Sequence, residues 1–112
     1  MEHYCTFSGK LHIGEGIKDP ARVKWKLQHA AGTLSVYLLA EAPENRAALA
    51  VIHAGFLTQD YYKTHPLKVY GIVNSANEAK DLLVRISDDA VRAGYPGALK
   101  AYLDAREEAG DS

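Results

Sequence analysis

The side chains best equipped for chemistry are five histidines, one cysteine and a set of cations and tyrosines near the N-terminus. If residues 3–13 and 21–27 are neighbouring strands, their polar parity gathers Tyr4, Lys10, His12, Arg22, Lys24 and Lys26 on one face. Cations interleaved with rings on a sheet suit a phosphate backbone and stacked bases. The plainer alternative is a solvated face whose lysines discourage edge pairing. His3, His12, His29, His53 and His65 include no pair at the H-x-x-x-H spacing of a helical metal site. His53 interrupts an apolar run; a buried imidazole there would either tune acid–base chemistry or simply bond a carbonyl. With Tyr61 and Tyr62 it outlines an alternative site, the pocket of a small enzyme or small-molecule binder.

Other chemistry is missing its parts. Neither Ser8-Gly9-Lys10 nor Gly14-Glu15-Gly16 completes a phosphate loop. Asp88 and Asp89, adjacent on a helix, point about 100° apart and make a poor metal pair. Cys5 shares its parity with inward residues and reads as an inert thiol. No catalytic residue, metal or cofactor is assigned.

The elements that must position these groups follow from periodicity. Residues 3–13, 21–27 and 33–40 alternate apolar and polar, with a turn at 29–32, which predicts an antiparallel three-strand meander. Tyr37 and Leu39 leave the outer parity of the third strand apolar, fitting an interface or a covering C-terminal helix. Pro43 opens a predicted helix through Leu57 that is apolar nearly all round, and His65-Pro66 ends the segment. Leu67–Val73 reads as a fourth strand, parallel to a neighbour. Ser75 and Glu78 form an S-x-x-E capping box before a helix that closes at Gly94. A last helix carries Leu99, Tyr102 and Leu103, and residues 107–112 read as a flexible tail. The expected fold is a single α/β domain over residues 1–112, of mixed α+β sheet type, in the order βββαβαα, with helices packed on the sheet.

Composition limits the function classes. In 112 residues, 47% are hydrophobic, and 13 Lys+Arg against 14 Asp+Glu give a net charge of −1, which excludes a strongly basic clamp. Residues 1–74 nevertheless carry eight basic and six acidic groups, so a polyanion site would lie on residues 4–26. One cysteine permits no internal disulfide, and no apolar run approaches a membrane span, so a soluble, cytoplasmic protein without membrane contact is expected.

Two stretches resemble known families. Ile72-Val73-Asn74-Ser75-Ala76-Asn77 looks like the strand-end motif of macrodomains, but Glu78-Ala79-Lys80-Asp81 stands where that family has a phosphate-cradling glycine loop. More of the chain resembles the ribonuclease H-like fold. Glu44–Ile52 is similar to that family's first-helix motif, Leu67–Ser75 to its following strand and Tyr4–Lys10 to its first strand. The resemblance implies acidic metal ligands, yet the corresponding positions hold Ser8 (or Phe7), Ala48 and Asn74. Neutral groups cannot gather divalent cations. The implied protein is therefore a non-catalytic version, with Tyr4, Ser8, Lys10, Asn45 and Asn74 lining the old active-site rim. The expected function is a binding or oligomerisation module. It would engage nucleic acid, a protein partner or a second copy through the strand face.

Overall fold

The computed structural model describes residues 4–30 and 35–110. In chain order the elements are β1 (Cys5–Ile13), α1 (Pro20–His29), β2 (Tyr37–Ala42), β3 (Asn45–His53), a 3-10 segment (Ala54–Thr58), α2 (Tyr61–Thr64), β4 (Leu67–Val73), α3 (Ala76–Arg92) and α4 (Leu99–Gly110). The four strands form one mixed sheet in the order β1-β4-β2-β3, with β1 parallel to β4 and the other pairs antiparallel. The class is the expected one: an α/β domain with a single parallel pair and helices on the sheet.

Two segments exchange their expected states. Residues 21–27 form helix α1 rather than a second strand. Asp19 caps it, its Oδ1 accepting the Arg22 N–H at 3.2 Å, and Pro20 occupies the first turn. Val23 and Leu27, four residues apart, both turn to the core. Lys24 lays its stem across the core margin with Nζ 5.5 Å from the Phe7 ring centroid. Residues 45–53, expected as helix, form strand β3, and Pro43-Glu44 is the tip of the β2–β3 hairpin. An apolar run of Ala, Leu, Val and Ile suits either state, and pairing with β2 decides it. The order is therefore βαββ, short helical turns, then βαα. Of the turn expected at 29–32, residues 31–32 lie outside the described residues, as do residues 33–34 of the third strand.

The sheet buries both faces. On one, Cys5, Leu38, Ala40, Val69 and Ile72 meet Leu27 of α1, Leu57 of the 3-10 segment and Tyr62 of α2. On the other, Leu39 and Val73 meet Ala79, Leu82 and Ile86 of α3, with Leu99, Tyr102 and Leu103 of α4 beside them. Leu39 is thus covered by a helix. The capping Ser75 accepts the Glu78 N–H at 3.1 Å, and Glu78 Oε1 reaches back to the Asn74 N–H at 3.1 Å. Gly94, at φ 89°, closes α3 and lets the Tyr95 N–H reach the Ala90 carbonyl at 2.7 Å.

Bulges interrupt the ladders. Leu39 pairs with Gly71 but Ala40 with Val69, so Tyr70 is an extra residue on β4. It sends Tyr70 and Gly71 to the same face. Both outer strands also carry insertions: β1 runs from Phe7↔Val69 to His12↔Gly71, and β3 from Asn45↔Ala42 to Leu49↔Glu41. α4 runs through residues 107–110 of the stretch expected as a tail, and Glu107 is bonded to Ser8 and Lys68; residues 111–112 lie outside the described residues.

Candidate functional site

The expected strand-face residues do not share one face. Tyr4 is half-buried against the α1-side core, while Ser8 is buried beneath α4. Lys10 is exposed, and its N–H donates to Ser8 Oγ at 3.2 Å. His12 is half-buried opposite Gly71. Arg22, Lys24 and Lys26 lie on α1. Asn45 starts β3 at the hairpin, and Asn74 follows β4. In the alternative group, His53 ends β3 in an exposed position; its Nδ1 accepts the Gly55 N–H at 3.0 Å and its ring meets Tyr37 edge-on at 5.1 Å. Tyr62 turns into the core and Tyr61 out to solvent, so the three rings do not converge on a common lining. His53 caps a 3-10 turn and is not the buried helical imidazole that the apolar run suggested.

Two groupings form instead. The first is the outer face of α1. At helical spacing, Arg22, Trp25, Lys26 and His29 share one stripe beside the one that carries Val23 and Leu27. α1 carries no acidic side chain. Trp25 is 54% exposed, and its ring stacks on His29 with centroids 4.2 Å apart and planes 20° from parallel. The imidazole is pinned by its Nδ1, 2.7 Å from the Trp25 carbonyl oxygen. The strand alternation hid this arrangement; the i, i+3, i+4, i+7 spacing of Arg22, Trp25, Lys26 and His29 would have shown it.

The second grouping is a polar clasp beneath α4. Tyr70 OH donates to Asp104 Oδ1 at 2.7 Å, and Lys68 Nζ lies 3.1 Å from the same oxygen and 3.0 Å from Glu107 Oε2. Ser8 OH donates to Glu107 Oε2 at 2.9 Å. Lys100 Nζ reaches Asp104 Oδ2 at 3.2 Å and Glu41 Oε2 at 3.5 Å, and Glu41 Oε1 accepts the Lys68 N–H at 2.9 Å. Two ammonium groups thus serve three carboxylates. Burial disfavours a charge on Asp104, but bonds from Tyr70, Lys68 and Lys100 outweigh it and hold the carboxyl below its ordinary range. The Gly9 N–H, Lys68 and Ser8 do the same for Glu107. Burial also opposes the Lys68 charge, but Glu107 and Asp104 prevail and raise it. Burial, then the Asp104 carboxylate, push the Tyr70 phenol far above its usual value. Each charge is met by an opposite one, which suits a clasp holding α4 to the sheet. Sequence spacing gave no sign of it, since Ser8 and Glu107 are 99 residues apart.

A surface groove of about 390 Å³ lies at the β3 end of α4, lined by Asn45, Ala48, Leu49, Leu83, Gly97, Leu99 and Lys100. Among the described residues, no group of three or more His, Cys, Asp or Glu is placed to hold a metal ion, and no helix is long and apolar enough to cross a membrane. No protein family, curated protein or solved structure matches the chain.

Proposed function

We propose that this chain is a non-catalytic binding module that takes single-stranded nucleic acid on the outer face of α1. The observation that carries the proposal is the half-exposed Trp25 flanked by Arg22 and Lys26, on a helix without acidic side chains. A ring that is supported on one side and open on the other is a stacking surface for any base, while neighbouring cations track the backbone. Three of the residues first singled out for phosphate contact, Arg22, Lys24 and Lys26, belong to this helix.

Trp25 is the only tryptophan, so its fluorescence reports the proposed site directly. Titration with an oligothymidylate at low salt should quench it. The two cations on this face, Arg22 and Lys26, should give a slope of log affinity against log salt of about −1.4 for a single strand. An unchanged spectrum at low salt, where phosphate contacts are strongest, would refute the proposal. Self-association is the second reading. Val84 and Val91, seven residues apart on one side of α3, are 60% and 57% exposed, and a second copy could cover them. A strict monomer by light scattering at high concentration removes that reading.

A further inference from the structure

We infer that the α1 face is one half of a two-platform site, resting on the function just proposed, and that a single strand runs from Trp25 across to Tyr61 on α2. The local construction of Trp25 and His29 recurs at Tyr61 and His65. Tyr61 is 52% exposed, and its ring stacks on His65 with centroids 4.4 Å apart and planes 3° from parallel. The His65 Nδ1 lies 3.3 Å from the Tyr61 carbonyl oxygen and 2.9 Å from Thr64 Oγ1, so this imidazole is pinned as well. In each pair a fixed imidazole backs one side of an outward ring. Such a ring, at Tyr61 also met by the Tyr62 ring at 5.1 Å and 86°, loses little freedom when a base stacks on its exposed part.

The fold brings the two pairs to one layer. Val23 and Leu27 of α1 pack in the same core as Leu57 and Tyr62. The Tyr4 N–H donates to the Gln28 carbonyl at 2.9 Å, and the Leu67 N–H to the Tyr4 carbonyl at 3.3 Å. The last turn of α1 and the junction after α2 therefore flank the same residue.

The platforms differ in charge. Arg22 and Lys26 accompany Trp25, whereas Lys63 beside Tyr61 is matched by Asp60 at 4.0 Å. Tyr61 should thus supply stacking without adding to the salt dependence. A mere surface tyrosine would supply neither.

The test is fluorescence polarisation with labelled oligothymidylates of about 3 and about 12 nucleotides, the shorter able to occupy one platform and the longer both. The full chain is compared with Tyr61→Ala, Tyr61→Phe and Arg22→Ala/Lys26→Ala at about 50 and 200 mM salt. Tyr61→Ala should weaken the longer strand about tenfold, leave the shorter one and the salt slope unchanged, and preserve the Trp25 quench. Tyr61→Phe should retain wild-type affinity, and the double variant should flatten the slope. If Tyr61→Ala binds the longer strand like wild type while the quench persists, the second platform is refuted and the α1 site stands. If wild type shows neither quench nor binding at low salt, the function itself fails and the inference with it. Equal binding to phosphatidylserine vesicles, in competition with the oligonucleotide, would overturn the assignment to nucleic acid.

Discussion

Replacing Tyr70 by Phe removes one oxygen from the centre of the clasp and little else. Tyr70 is 4% exposed, and its hydroxyl donates to Asp104 Oδ1 at 2.7 Å, the shortest bond of the cluster. A hydrogen bond to an ionised carboxylate contributes roughly 1.5–3 kcal/mol. The Asp104 side chain is 34% exposed and keeps Lys68 and Lys100, so water can replace part of what is lost. The expected cost is at the lower end, about 1–1.5 kcal/mol, or a Tm lower by about 5 °C for a domain of this size. Phe retains the ring packing and the Lys68 ammonium 5.3 Å from the ring centroid. Urea unfolding followed by circular dichroism measures the loss as a shift in midpoint at constant slope. A double-mutant cycle with Asp104→Asn then isolates the pair, and the coupling should be about 1 kcal/mol. A loss below about 0.3 kcal/mol with no coupling would show that the hydroxyl is no part of what holds α4, and the clasp would have to be abandoned.

Stability should depend on pH at both extremes. Asp104 and Glu107 titrate below their ordinary values when folded, so their contribution is present above about pH 4.5 and is lost as the medium becomes more acid. Lys68 and Tyr70 titrate above theirs, so their contribution is complete below about pH 10 and is lost as pH rises further. Unfolding midpoints across pH should show a plateau between these limits, and Lys68→Met should narrow the acid-side loss; an unaltered acid limb would count against the ion pairs. Burial pushes the Cys5 thiol up to about 12, so a thiol reagent at pH 8 should label the unfolded chain and spare the native one. Rapid labelling of the folded protein would contradict the packing of β1.

Legibility in the sequence depended on distance. Ser75 and Glu78 lie three residues apart, and both the cap and the helix beyond it follow from that spacing. Leu67–Val73, apolar but for Lys68, could hardly be anything but an inner strand. Residues 21–27 fit two periods at once; the alternation points to a strand, whereas the Asp19-Pro20 start signal belongs to the helix that forms. Ala47–Ile52 held no such signal; only the neighbouring β2 made it a strand. The clasp was beyond reach. It needs the bulge that turns Tyr70 toward α4, and it joins residues from four separate elements, β1, β2, β4 and α4.

The insertions in β1 and β3 bear on more than local geometry. A sheet grows by adding strands whose amide spacing matches its own, and both margins here are out of step with that spacing over part of their length. An incoming extended chain would find an interrupted row of donors and acceptors on either side. Copies of this domain could therefore be crowded together without their sheets fusing into a continuous ribbon.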